Sequence, residues 1–147
     1  MDYTISKDNI LTTVKDITSR VAAQAYAENS QSLYDGILIT SGDAPQLDRF
    51  LEEGINAIIT RAADICTRST TQNPFVDKLV FDVPDITTGA AAIAPSLLNS
   101  YLAYFTSAKW FAARYASAFV EYDKRATSSL EEAIKQLRKR QIISRRF

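Results

Sequence analysis

The chain has 147 residues, of which 46% are hydrophobic and 23% charged, a composition typical of one folded domain. It contains no histidine and one cysteine, which excludes histidine-based triads, the usual zinc ligand sets and an intrachain disulfide. Its 17 basic and 17 acidic side chains give a formal net charge of zero. We therefore expect no cofactor and no bound metal, and the composition argues against most enzyme chemistries.

Apolar residues at helical spacing predict a first helix over about residues 7–26. Its buried stripe consists of Ile10, Val14, Ile17 and Val21. The segment 33–39 is ambiguous, because Gly36 argues against a long helix while Ile37 and Ile39 alternate as they would in a short strand.

A second helix is predicted from Asp43 to about Arg68. Asp43 can cap its start, Pro45 suits the first turn, and Gln46 completes a capping box. The apolar stripe that follows consists of Leu47, Phe50, Leu51, Ile55, Ile58, Ile59, Ala62, Ile65 and Cys66. A polar loop over residues 69–74 ends this element.

Residues 75–83 predict one strand or an arm of a hairpin, closed by Pro84. The alternation along it is partial, with Leu79, Phe81 and Val83 set against Lys78, Val80 and Asp82. A strand in a helical protein needs a partner, which either residues 33–39 or another subunit could supply by strand addition.

From Pro95 to about residue 140 the apolar spacing is helical throughout and predicts a long helix, kinked or interrupted near 123–129, where a second capping box begins. The 23 residues between Asp85 and Lys109 carry no charge but are too polar for a convincing membrane span, so we expect no membrane partner. The fold class is therefore all-α, with three or four bundled helices, a long C-terminal helix and a short β-strand or hairpin insertion near 75–83. We expect a single domain over 1–134, followed by a basic helix end and tail over 135–147.

Candidate catalytic side chains are few. The pairs Glu52–Glu53 and Glu131–Glu132 are adjacent in sequence, and neighbours on a helix point about 100° apart, so neither pair converges on one atom. We interpret both pairs as solvated. Cys66 lies on an apolar stripe with no histidine to activate it and is interpreted as a buried structural cysteine.

The zero net charge divides unevenly along the chain. Residues 1–108 hold 13 acids and 7 bases, a net of −6, whereas residues 109–147 hold 4 acids and 10 bases, a net of +6. We predict a basic contact surface made of Arg138, Lys139, Arg140, Arg145 and Arg146. We also predict an oligomer interface made of Leu79, Phe81, Val83, Tyr104, Trp110 and Phe111. The competing interpretations are a solvated helix end that offsets the helix dipole and a central core helix.

Five segments together carry a resemblance. They are YTISKDNI at 3–10, QLDRFLEE at 46–53, VP at 83–84, KWF at 109–111 and LRKR at 137–140. Their order resembles the small structural proteins encoded by phages and prophages of Bacteroides-type bacteria, in head–tail or tail morphogenesis clusters.

The resemblance implies a non-enzymatic virion protein, assembled in the host bacterial cytoplasm, that forms a ring of identical subunits around the portal or tail channel. Its expected partners are the portal, other neck or tail proteins and the DNA backbone in the channel. Two alternatives remain. One is a nucleic-acid-binding accessory protein that uses the basic tail, and the other is a membrane-active protein such as a lysis factor.

Overall fold

The structure is a computed structural model that describes residues 1–28, 31–69 and 76–139. These residues form five α-helices and three strands. In chain order the elements are β1 (Asp2–Ser6), α1 (Lys7–Glu28), α2 (Gln31–Ile37), a 3₁₀ turn (Ser41–Asp43), α3 (Ala44–Arg61), β2 (Cys66–Ser69), β3 (Val76–Phe81), α4 (Thr88–Phe111) and α5 (Ala116–Leu137). The mainly helical fold class with a small β element near 75–83 is confirmed.

The first predicted helix is confirmed as α1, and its stripe Ile10, Val14, Ile17 and Val21 is buried in the core. Residues 31–37, whose structure the sequence left ambiguous, form the short helix α2. Ile37 is the last residue of α2 and is buried. Ile37 and Ile39 therefore lie at the end of a helix and do not form the short strand that their alternation would suit.

The predicted start of α3 is correct in position but not in detail. The Asp43 carboxylate does not cap α3. Its Oδ2 instead accepts hydrogen bonds from the backbone nitrogen of Thr40 at 2.7 Å and from the Thr40 hydroxyl at 3.0 Å. Thr40 thereby becomes the cap of the 3₁₀ turn that leads into the helix. Both bonds lower the pKa of the Asp43 carboxyl, and the bond from the Thr40 backbone nitrogen has the larger effect.

The prediction that this helix continues to Arg68 is wrong. It ends at Arg61, and a turn closed by the bond from Cys66 N to Ala62 O at 2.7 Å leads directly into β2. Ala62 and Cys66 are both buried, although the residues from 62 to 65 form a turn and not the predicted helix. Pairing of residues 66–69 with β3 outweighs the helical periodicity.

The three strands form one antiparallel sheet in the order β1-β3-β2. Tyr3 lies opposite Leu79 in β3, and Thr67 lies opposite Val80 from the other side. The partners of β3 are therefore residues 2–6 and 66–69, not the predicted segment 33–39. Both neighbours of β3 belong to the same chain, so the alternative partner from another subunit is not needed.

The long helix predicted over residues 95–140 is two helices that fold back on each other. The helix α4 begins earlier, where the Thr87 hydroxyl accepts a bond from Ala90 N at 3.1 Å. The helix is interrupted at residues 112–115 and not at the predicted 123–129. In the segment 123–129, Thr127 lies inside α5, and its hydroxyl donates to the Asp123 carbonyl at 3.0 Å instead of capping a new helix. The predicted domain boundary at 134/135 also falls within α5.

The helices α3 and α4 meet at Gly54, which is buried. A Cβ atom at this position would lie 3.0 Å from Phe105 Cδ1 and 3.1 Å from Leu102 Cδ2. The close approach of the two helices therefore depends on the absence of a side chain at residue 54.

We expect Gly54→Leu to lower the free energy of unfolding by about 1–3 kcal/mol, because the added side chain overpacks the α3–α4 contact. Gly36→Ala is the matched control, since nothing lies within 4 Å of a Cβ built there. That control is expected to raise stability by up to about 1 kcal/mol through helix propensity. Urea unfolding followed by circular dichroism measures both, and equal effects of the two variants would contradict the packing argument.

Candidate functional site

Most of the predicted oligomer interface lies inside this chain. Leu79 and Phe81 in β3 and Val83 just after it are buried. Trp110 and Phe111 are buried at the end of α4. Tyr104 is half-buried, with its ring 5.9 Å from that of Tyr122. Of the six predicted residues, only Tyr104 has an appreciably exposed side chain.

Trp110 contacts the distant residue Ile37 and the nearby Arg114, which in turn contacts Gln46. Its indole N–H donates to the Ile37 carbonyl at 2.6 Å, and the Arg114 guanidinium lies 3.6 Å from its ring centroid. Arg114 in turn donates to the Trp110 carbonyl at 3.0 Å and to Gln46 Oε1 at 3.4 Å. This cluster anchors α2 and the start of α3 to the end of α4, which supports a core role for Trp110.

The described part of the predicted basic surface consists of Arg138 and Lys139, both exposed. Arg138 donates through both terminal nitrogens to the Asp64 carboxylate, each at 2.9 Å. This contact lowers the pKa of Asp64 and joins the end of α5 to the turn before β2. The positive charge of Arg138 is thus matched within its own chain. Arg140, Arg145 and Arg146 lie outside the described residues.

An ion network that sequence reasoning missed joins α1, α3 and the sheet. The Arg68 guanidinium donates to Glu52 Oε1 and Oε2, each at 2.8 Å, and its Nε donates to Asp77 Oδ2 at 2.7 Å. Lys7 reaches the same Glu52 carboxylate at 3.5 Å. Glu52 is therefore not simply solvated, and hydrogen bonding to Arg68 holds the pKa of its carboxyl below the ordinary value.

Cys66 is buried, as its position on the apolar stripe predicts. Burial raises the pKa of its thiol to about 11, because the thiolate would lose its hydration. A thiol in this environment is a poor nucleophile near neutral pH.

A cavity of about 300 Å³ lies between β1, α1 and α4. All of the residues that line it are uncharged, and its polar lining includes Thr4, Ser6, Asn9, Thr13, Asn99 and Ser100. At its side the Tyr3 hydroxyl donates to Asn99 Oδ1 at 2.5 Å. Tyr104, the half-buried member of the predicted interface, also lines this cavity. The cavity is therefore the candidate binding site on the described surface.

Within residues 1–28, 31–69 and 76–139, no cluster of three or more cysteine or carboxylate side chains is arranged to hold a metal ion. Across the same ranges, none of the helices combines the length and apolar character that a bilayer crossing requires.

Comparison of the chain with protein-family models, with curated proteins and with solved structures gives no match in any of the three.

Proposed function

We propose that the protein is a structural subunit of a phage virion that assembles with identical copies into a ring around the portal or tail channel, as a head–tail connector or neck component. The role is non-enzymatic, and the partners are the portal and neighbouring neck or tail proteins. The resemblance of five sequence segments to such proteins motivates the assignment.

The observation that carries the proposal is the division of charge. Residues 1–108 have a net charge of −6 and residues 109–147 a net charge of +6. A subunit with two oppositely charged parts binds a copy of itself head to tail, and such a contact closes into a ring when its rotation divides a full turn. Within one chain, Arg138 of the C-terminal part pairs with Asp64 of the N-terminal part, which is the kind of contact that the proposal expects between copies.

Light scattering coupled to size-exclusion chromatography tests the ring. We expect the mass of the full chain to rise with concentration to a fixed multiple of 16.4 kDa, and to fall as salt is added. The variant Arg145→Glu/Arg146→Glu should assemble at least tenfold more weakly. The control Lys15→Glu/Arg20→Glu changes net charge by the same amount at exposed positions of α1 and should assemble like the parent chain.

A chain that stays monomeric at every concentration, with the portal present as well, would refute the proposal. Equal weakening by both double variants would refute the role of the basic segment, because it would make net charge alone responsible.

The alternative function, nucleic-acid binding through the basic tail, makes a different prediction for the same variants. DNA binding to the parent chain would weaken steeply with salt, and Arg145→Glu/Arg146→Glu would abolish it. The pairing of Arg138 with Asp64 leaves Lys139, Arg140, Arg145 and Arg146 as the cations of the basic segment that such binding would use.

A further inference from the structure

The cavity between β1, α1 and α4 has backbone hydrogen-bonding groups along one wall. Met1 and Phe81 exchange both backbone hydrogen bonds, each at 2.8 Å. Bonded pairs recur at every second residue of an antiparallel ladder, so Thr4 and Ser6 fall between them. The N–H and C=O groups of these two residues therefore point to the outer edge of the sheet, and both residues line the cavity.

The two helices add neutral donors and acceptors to this wall. Asn99 in α4 accepts from the Tyr3 hydroxyl through Oδ1, and its amide N–H groups make no bond to a described residue. Thr13 in α1 donates its hydroxyl to the Asn9 carbonyl at 3.1 Å, which leaves its oxygen as an acceptor. All of the lining residues are uncharged. A charged ligand would lose hydration here and gain no counter-charge, so the lining favours a neutral one.

The rest of the lining is apolar and consists of Ile10, Ala103 and Tyr104. The Tyr104 ring is held from α5, where the Tyr122 ring centroid lies 5.9 Å and the Arg125 guanidinium 6.0 Å from its own centroid. Neither of these α5 residues lines the cavity, so the part of the Tyr104 ring that does is left for a ligand. The site thus combines a polar wall with an apolar surface that includes an aromatic ring.

We propose that this cavity binds one neutral hexopyranose ring, either as a free sugar or as the terminal unit of a glycan. Each sugar hydroxyl both donates and accepts, which suits the mixed groups of the polar wall. The C–H groups on one face of the ring form an apolar surface that packs on an aromatic side chain. The volume of about 300 Å³ is at the lower limit for ligand pockets and suits a single ring. The inference does not rest on the proposed virion ring, because every group it uses belongs to one chain.

The length of the free edge argues against an added polypeptide strand as the occupant. Of β1, only Thr4 and Ser6 line the cavity, and two residues of a strand span about 7 Å. The helix α1 begins at Lys7, directly after β1, so the edge ends there. A strand of the usual length, about five residues, would extend beyond the cavity, whereas a sugar ring would not.

A chemical-shift titration of the isotope-labelled full chain tests the site. The probes are glucose, galactose and mannose, with glucuronate and glucosamine as charged analogues of the same ring. We expect at least one neutral hexose to shift the amide signals of Thr4, Ser6 and Asn99 with a Kd on the order of 1 mM. The charged analogues should bind about tenfold more weakly or less.

Two results of the titration would overturn the proposal. One is the absence of any shift at the cavity with all three neutral hexoses at about 50 mM. The other is equal binding of the neutral and charged sugars, which would contradict the role of the uncharged lining.

Thr13→Val removes one hydroxyl from the lining and should weaken sugar binding about fivefold, the usual effect of one lost neutral hydrogen bond. Thr12→Val is the matched control, because the Thr12 hydroxyl makes the same kind of bond, to the Asp8 carbonyl at 2.8 Å, and does not line the cavity. That variant should bind like the parent chain. Equal weakening by both variants would place the effect in α1 as a whole and overturn the assigned contact.

Asn99→Asp tests the opposite side of the cavity. Aspartate keeps an oxygen acceptor for the Tyr3 hydroxyl and replaces the amide donors with a second oxygen. We expect sugar binding to weaken about tenfold or more while circular dichroism shows an unchanged fold. A folded variant that binds the sugar with the affinity of the parent chain would contradict the proposed site.

The source of the sugar is distinguished by comparing the free hexose with a trisaccharide that carries it at the non-reducing end. Asn9, Thr13 and Asn99 are exposed at the cavity, so a terminal unit can enter while the remaining units stay in solvent. Binding of the trisaccharide at least as tight as that of the free hexose supports a glycan end. Binding of the free hexose alone supports a free sugar.

Discussion

Trp110→Ala is expected to lower the free energy of unfolding by about 3–5 kcal/mol, the range for removing a large aromatic side chain from a core. Only 2% of Trp110 is exposed, and the indole contacts groups from α2 and from the turn after α4. Its loss leaves a cavity, an unpaired Ile37 carbonyl and an Arg114 guanidinium without its stacking partner. Urea unfolding must be followed by circular dichroism, because Trp110 is the only tryptophan.

Trp110→Phe separates the two contributions. Phenylalanine keeps most of the ring and removes the N–H, so the cost should be about 1–3 kcal/mol for the buried carbonyl left unpaired. Equal losses for the alanine and phenylalanine variants would show that the hydrogen bond, not the packing, accounts for the effect. A loss below about 1 kcal/mol for Trp110→Ala would contradict its place in the core.

Arg68→Met should have the second largest effect, a loss of about 2–3 kcal/mol at pH 7. Removing one partner of a fully buried ion pair costs about 3–5 kcal/mol, and partial exposure of Arg68 and Glu52 reduces that figure. The variant keeps the apolar stem of the side chain but leaves the Glu52 and Asp77 carboxylates close together without their shared cation.

This loss should depend on pH in one direction. The pKa of Glu52 is lowered in the folded chain, so its contribution is fully present above the ordinary value of 4.5 and disappears as pH falls through the folded pKa. The difference in stability between the parent chain and Arg68→Met should therefore be constant near neutral pH and narrow below about pH 4.5. A difference that widens on acidification would contradict the sign.

Arg138→Met is the matched control, because Arg138 makes the same bidentate contact with a carboxylate, Asp64, at an exposed site. Solvent screens that pair, so its removal should change stability much less than Arg68→Met does. If the two variants lost equal stability, burial could not be the cause of the Arg68 effect.

The elements that the sequence predicts well are those whose signal is local. The stripes of α1 and α3 repeat every three or four residues, and each repeat faces one core. The strands β1 and β2 are five and four residues long, too short to carry a clear periodic pattern. The partner of β1 in β3 also lies more than 70 positions away, whereas β2 and β3 are close in the sequence. Ala62 and Cys66 illustrate why the end of α3 is mispredicted, because two buried residues four positions apart fit both a helix and the turn that is present.

The candidate site was predicted less well for a related reason. The helical spacing of aromatic residues predicts Tyr104 as an interface residue, and in the structure Tyr104 lines the cavity. The polar residues beside it come from three elements and have no shared spacing, so only the fold brings them together. The sequence neighbour of Glu52 gives no sign of its role, because its partners Arg68 and Lys7 approach from other elements.

The contacts that close this fold join residues very far apart in the chain. Met1 meets Phe81 across 80 positions, Ile37 meets Trp110 across 73, and Asp64 meets Arg138 across 74. Each contact must overcome the entropy of closing a long loop, so a protein built mostly of helices should fold more slowly than a simple bundle of its size. During synthesis, β1 has to wait for some 75 further residues before its partner strand exists, and its exposed edge is open to other chains throughout that interval.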